Sequence, residues 1–183
     1  MSVHLPNRRL HCLAIGAALI ASLGWFLALP AEAASDEEAV FRVRSSDSSI
    51  AAVIELAATG SLTFKKLLAV IQASDGMVYV EPGDCGHGTR ACLKGWMGTS
   101  GRTRFLRVMV NRRKADSDVD FMGSIGHELQ HTVEALSEPR TIDSIGLYNF
   151  FSRISSTSGD RFETTAAIVA GDAVRNELRN RVY

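Results

Sequence analysis

Apolar residues recur at every third or fourth position of one segment and predict a long helix with one buried face. The recurring residues are Phe121, Ile125, Leu129, Val133 and Leu136. The same segment contains His127 and His131, and residues four positions apart lie on one face of a helix, a turn apart. The fold therefore has to bury one side of this helix and keep both imidazoles together.

The run His127-Glu128-Leu129-Gln130-His131 has the spacing at which two imidazoles on a helix bind one zinc ion. Glu128 follows the first histidine, where its carboxylate can reach a water molecule at the open position of such a metal and take its proton. The run therefore predicts two zinc ligands, His127 and His131, and a general base, Glu128. Two histidines on a helix without a metal are the alternative.

The first 33 residues predict an export signal. Arg8 and Arg9 precede an apolar run from Leu13 to Leu29, and Ala31-Glu32-Ala33 is a small-x-small cleavage site. The mature chain would begin at Ala34, and we expect it to be secreted or periplasmic. An uncleaved membrane anchor is the alternative, because the run approaches the roughly 20 residues that span a bilayer.

Export also predicts a disulfide between Cys85 and Cys92, since Cys12 belongs to the signal and an even pair remains in an oxidising compartment. A bridge across so short a loop contributes about 2.5 kcal/mol in the chain-entropy treatment. Metal binding by Cys85, His87 and Cys92 is the alternative.

The charge balance argues against a nucleic-acid partner. The chain has 20 Lys plus Arg and 20 Asp plus Glu, and without Arg8, Arg9 and Glu32 the counts are 18 and 19. No excess of basic residues is available to neutralise phosphates.

With 46% hydrophobic residues and no linker, residues 34–183 are predicted to form a single domain. A monomer with no stable membrane association after cleavage is the default expectation.

The mature chain is predicted to alternate helices and strands. We expect one helix from Ser49 to Gly60, and a second that follows Ser61 or Thr63 and stops before Asp75-Gly76. Strands are expected at Met77–Val80 and Phe105–Val110, with a weak one at 40–43. The glycines between Asp84 and Arg102 predict an irregular loop held by the disulfide.

The run from His127 to His131 resembles the active-site helix of the zincin metallopeptidases, which carries His-Glu-x-x-His. The resemblance implies an α+β fold in which a small mixed or antiparallel sheet packs on the active-site helix, with further helices around it. In zincins a strand before this helix forms the edge of the cleft, and an extended substrate pairs with it. Phe105–Val110 is expected to take that role.

A catalytic zinc site needs a third protein ligand. Position 134 is Glu and position 137 is Ser, so the metzincin pattern is absent and the resemblance is to gluzincins, in which a glutamate on a later helix completes the site. Glu163 is the leading candidate, at the start of a helix predicted to run to about Asn180. Small residues on this helix would let it approach the histidines: Ala166, Ala167 and Ala170.

Four acidic residues stay open as alternative ligands: Glu134, Glu138, Asp143 and Asp160. Glu134 is expected to hydrogen-bond an imidazole rather than to bind the ion. Tyr148 is a candidate for stabilising the oxyanion, as are Arg153 and His87, although Tyr148 also belongs to an aromatic cluster at 147–151 that predicts core or cleft wall.

The sequence thus predicts an exported zinc-dependent hydrolase, and most simply a peptidase that acts on a peptide or protein substrate. The alternative is an exported binding or structural protein that keeps a zincin-like fold without turning over a substrate.

Overall fold

A computed structural model describes residues 41–86, 88–156 and 162–181, and the predicted export signal lies outside them. Within these ranges the chain is α+β, as predicted, with five helices and four strands. The helices are α1 (Ser48–Gly60), α2 (Leu62–Gln72), α3 (Asp118–Ser137), α4 (Ser144–Ile154) and α5 (Thr165–Arg179). The strands are β1 (Val43–Arg44), β2 (Gly76–Pro82), β3 (Ala91–Ser100) and β4 (Thr103–Val110).

The first two helices form where the apolar spacing predicts them. Asp47 caps α1, because its carboxylate accepts hydrogen bonds from the backbone N–H groups of Ser49 and Ile50. Ser61 follows α1 directly and caps α2 by accepting from the Phe64 N–H. Both helix predictions are confirmed, and the buried face of α1 is the predicted one: Ile50, Val53, Ile54 and Ala57.

The four strands form one sheet in the order β1-β2-β4-β3. β1, β2 and β4 run parallel, whereas β3 is antiparallel to β4. Leu106, Val108 and Val110 are buried while Arg107 is exposed, so the predicted alternation in β4 is confirmed. The inward side chains of β2 and β4 share one hydrophobic core with the helices.

The prediction of an irregular loop up to Arg102 is wrong, because Ala91–Ser100 form β3. This strand pairs with β4 in two stretches that are separated by an irregularity between Leu93 and Met97. The residues between them are exposed, so β3 lacks the two-residue alternation by which a strand is recognised in a sequence.

The predicted role of Phe105–Val110 as the edge of the cleft is also wrong. β4 pairs with β2 on one side and with β3 on the other, so both of its sides are occupied. The edge strands are β1 and β3, and it is β3 that lines the cleft that contains the two histidines.

Helices α3 and α5 pack closely because glycines lie at their contact. A Cβ atom on Gly171 would lie 3.1 Å from the backbone oxygen of Gly123 and 3.1 Å from the Cβ of His127. Only glycine fits such a contact without displacing a neighbour. Ala167 and Ala170 of α5 are buried, whereas Ala166, the third small residue expected on or near the packed face, is exposed.

Cys85 and Cys92 form the predicted disulfide, with an S–S distance of 2.10 Å. Because both sulfur atoms are in the bridge, neither is available as a thiolate for the alternative metal site, and His87 lies outside the described residues. Disulfides are typical of oxidising compartments, in keeping with the predicted export. Among the helices that the structure describes, none combines the length and the hydropathy needed to cross a bilayer.

Candidate metal centre

The histidines lie near the middle of α3, which is the longest helix of the described residues. Ser117 caps this helix by accepting from the Asp120 N–H, and Asp118 and Asp120 place negative charge in its first turn. The imidazoles of His127 and His131 lie side by side, with ring centroids 4.9 Å apart. The predicted helix therefore brings them together on one face, as the spacing requires.

Glu163 lies against both imidazoles. Its Oε1 is 3.1 Å from His127 Nε2 and 3.6 Å from His131 Nε2. One donor atom from each of these residues lies within 4.8 Å of the other two. In a tetrahedral site with bonds near 2.0–2.1 Å, donor atoms are separated by about 3.3 Å. The separations from Glu163 are close to that value, so His127, His131 and Glu163 can hold a metal ion.

The protonation state of His127 suits a metal ligand. Burial lowers the pKa of His127 to about 4, and the nearby positive charges of His131 and Arg175 act in the same direction. The imidazole is therefore neutral at physiological pH, which is the form that binds metals. Burial also opposes protonation of His131, but its hydrogen bond to Glu134 and the charges of Glu128 and Glu163 outweigh burial and raise the pKa of His131.

Glu134 connects His131 to the start of α5. Its Oε2 is 3.0 Å from His131 Nδ1, and its Oε1 accepts a hydrogen bond from the Thr164 hydroxyl at 2.8 Å. The Thr164 side chain in turn caps α5 by accepting from the Ala167 N–H. Since Nε2 of His131 faces Glu163, Nδ1 is the nitrogen that donates to Glu134, and this bond fixes the orientation of the ring.

Glu163 was predicted at the start of this helix, and it lies two residues before Thr165, the first residue of α5. Two serines at the end of α4 hold its backbone. The Glu163 N–H donates to Ser155 Oγ at 2.9 Å, and the Ser156 N–H donates to the Glu163 carbonyl at 2.7 Å. Sequence analysis did not single out these serines, and the only local sign of their role is that they directly follow α4.

Glu128 lies between α3 and the edge strand. Its Oε2 accepts a hydrogen bond from the Leu93 N–H of β3 at 2.7 Å, and the residue is 7% exposed. Burial raises the pKa of Glu128 to about 7, although the positive charge of His131 and the bond from Leu93 act in the opposite direction. This carboxyl can therefore both accept and release a proton near neutral pH.

The site opens into a cleft of about 1140 Å³. β3 and the disulfide form one wall, and α4 with Phe162 forms the other. Tyr148 lines this cleft and contacts the ring of Phe162 with centroids 5.3 Å apart. Its position is that of a cleft wall, one of the two places predicted for the aromatic cluster.

Other candidates have different partners. Asp143 caps α4 by accepting from the Gly146 N–H, and Glu138 accepts from Arg140. Arg153 lies 3.8 Å from Glu138 and does not line the cleft. Asp160 and His87 lie outside the described residues.

Comparison of the chain with models of protein families, with characterised proteins and with solved structures gives no significant match. A function therefore has to be inferred from the site itself.

Proposed function

We propose that this protein is a zinc-dependent hydrolase of the zincin type that cleaves peptide bonds. The observation that carries the proposal is the convergence of the His127, His131 and Glu163 donor atoms in an open cleft beside Glu128. Two imidazoles and one carboxylate form a ligand set that catalytic zinc sites use. When bound there, zinc would lower the pKa of a water molecule and polarise the substrate carbonyl.

Glu128 supplies the acid and base chemistry. Its carboxylate accepts a proton from the water that attacks the peptide carbonyl, and then gives this proton to the leaving amine. Burial raises the pKa of this carboxyl above that of a solvated glutamate, which makes it a better proton acceptor at neutral pH. The bond from the Leu93 N–H positions this carboxylate at the base of the cleft.

The edge strand β3 is the place where an extended substrate would pair. The Leu93 N–H is bonded to Glu128, and the Met97 N–H donates to the Ser144 hydroxyl at 3.1 Å. The part of the edge that a peptide can use therefore lies between these residues, at Lys94, Gly95 and Trp96, which are exposed. This arrangement of edge strand, cleft and histidine helix supports the resemblance to zincins.

One contact favours the alternative of a non-catalytic binding protein. Because Glu128 accepts a bond from a backbone group, it also ties α3 to β3 and would be useful in a protein that only binds. Only in a peptidase does the wild-type protein hydrolyse a substrate and lose this activity when the Glu128 charge is removed.

The test uses three variants of the mature chain after loading with zinc. Glu128→Gln keeps an oxygen for the Leu93 N–H but cannot take a proton, so hydrolysis of an unstructured protein should fall at least about 100-fold while zinc stays bound. Glu163→Gln should lower the zinc content. Glu55→Gln, at an exposed position of α1, is the control and should change neither quantity.

Wild-type protein that binds well below one zinc per chain would refute the metal site. Wild-type protein that binds zinc but hydrolyses no faster than Glu128→Gln would refute the peptidase and leave the binding protein.

A further inference from the structure

The charged residues that line the cleft are unevenly distributed. Its two acidic residues are Glu163, one of the three residues that could hold the metal ion, and Glu128, the proposed general base. The other charged side chains along the described part of the cleft are all basic: Arg90, Lys94 and Arg175. Outside the metal centre, the charged side chains that line the described part of the cleft are therefore all cations, and a cation without an acidic partner favours an anionic ligand.

Two of these basic residues already have acidic partners. Arg90 pairs with Asp116 at 2.7 Å, and Arg175 pairs with Asp172 at 2.8 Å. Lys94 is exposed, and among the described residues it forms no salt bridge. It directly follows Leu93, whose N–H contacts Glu128. Lys94 is thus the cation that is both close to the general base and available to a ligand.

Three aromatic side chains line another part of the cleft, and the first of them contacts the proposed metal ligand His131. The ring of Phe151 contacts His131 with centroids 5.4 Å apart, Phe162 stacks on Phe151 at 5.8 Å, and Tyr148 contacts Phe162 at 5.3 Å. Tyr148 is 59% exposed, so these rings lead from the metal centre to solvent. We call Phe151, Phe162 and Tyr148 the aromatic shelf. Its exposed surface suits a large apolar side chain.

Building on the proposed function, we propose that the cleft selects peptides in which an acidic side chain and a large apolar side chain flank the cleaved bond. The carboxylate pairs with Lys94, and the apolar side chain lies on the aromatic shelf. Lys94 and the aromatic shelf line the same cleft, so a single peptide bound in it can contact both.

The charge preference is tested with fluorescein-labelled peptides that contain one Phe and differ only at a neighbouring position, which is Glu, Gln or Lys, on either side of the Phe. Binding is measured by anisotropy on the zinc-loaded Glu128→Gln variant, which should not degrade the probes. An exposed ion pair is weak, so the Glu peptide should bind about threefold to fivefold more tightly than the Lys peptide at low salt. The difference should shrink in high salt.

In the same background, Lys94→Glu should reverse the preference, and Lys66→Glu on the exposed face of α2 should leave it unchanged. Equal preferences in the Lys94→Glu and Lys66→Glu proteins would overturn the role of Lys94.

The aromatic shelf is tested with the Glu peptide and a version in which Ala replaces Phe. Tyr148→Ala should reduce the advantage of the Phe peptide, while Tyr148→Phe, which keeps the ring, should preserve it. Ile145→Ala is the matched control, because Ile145 is 72% exposed on α4 but does not line the cleft. An advantage that survives Tyr148→Ala, or that is lost in Tyr148→Phe, would overturn the role of the shelf.

Binding and hydrolysis together separate the two proposals. If wild-type protein cleaves peptides without preference for Glu or Phe, the selectivity is wrong and the peptidase stands. If the Glu128→Gln protein shows the binding preference but the wild-type protein cleaves nothing, the peptidase is wrong and the ligand class stands.

Discussion

Replacing Glu134 by Gln should weaken zinc binding without unfolding the protein. The two carboxylate oxygens of Glu134 accept hydrogen bonds from different groups, Oε2 from His131 Nδ1 at 3.0 Å and Oε1 from the Thr164 hydroxyl at 2.8 Å. A glutamine has one acceptor oxygen and an NH2 group, so it cannot satisfy both donors. It also removes the negative charge that makes the His131 ring a stronger donor to a metal.

The size of the effect follows from this geometry. Loss of a partner that orients a metal-binding histidine typically lowers affinity 10-fold to 100-fold, or about 1.4–2.7 kcal/mol. Zinc affinity is measured by competition with a fluorescent chelator at neutral pH, and the urea unfolding of each metal-free protein shows whether the fold is retained.

Glu138→Gln is the matched control, because Glu138 follows the same helix but contacts Arg140 at the surface. Its zinc affinity should equal that of the wild type. If Glu134→Gln and Glu138→Gln bind zinc with the same affinity, Glu134 does not orient His131 and the reasoning is refuted.

Three further predictions concern the framework of the site. The Arg104 side chain is 8% exposed and donates to four backbone carbonyls at and beyond the end of α3. Arg104→Met should therefore lower the free energy of unfolding in urea by about 3–5 kcal/mol, whereas Arg107→Met, at an exposed position, should change it little. The hydrogen bond from Arg104 lowers the pKa of Asp75. The stability that this ion pair gives to the folded protein is complete above the pKa of Asp75 in the unfolded chain, and it is lost as the pH falls through the lower pKa of the folded state. The Asp75→Asn protein should therefore lose less free energy of unfolding below about pH 4 than the wild type, and an unchanged acid profile would contradict this. Gly171→Ala should separate α3 from α5, destabilise the fold by about 1–3 kcal/mol and weaken zinc binding, while Gly95→Ala, which has open space around its Cβ position, should be neutral in thermal unfolding.

The features that could be predicted from the sequence depend on neighbours along the chain. The buried faces of α1 and α3 and the alternation of β4 are local periodicities, and the pairing of His127 with His131 follows from the pitch of one helix. The disulfide followed from the count of cysteines in an exported chain.

The errors arise where distant segments decide the structure. β3 forms because β4 offers it a partner, although its exposed residues Lys94, Gly95 and Trp96 interrupt the alternation. Which strand forms the edge of a sheet depends on the order of all strands, and β4 follows β3 in sequence yet lies inside the sheet. A strand's position before the histidine helix therefore did not determine whether it could line the cleft.

Only part of the position of Glu163 could be predicted from the sequence. Its type and approximate place were predictable, because a third ligand was required and small residues follow it. Its placement depends on Thr164, since one hydroxyl both accepts from the Ala167 N–H to begin α5 and donates to Glu134 on α3. The helix must therefore begin at this point beside α3, and the residue before the cap lies next to the histidines. An acidic residue directly before a capping threonine is the pattern that sequence analysis could have used, and it distinguishes Glu163 from Glu138 and Asp143.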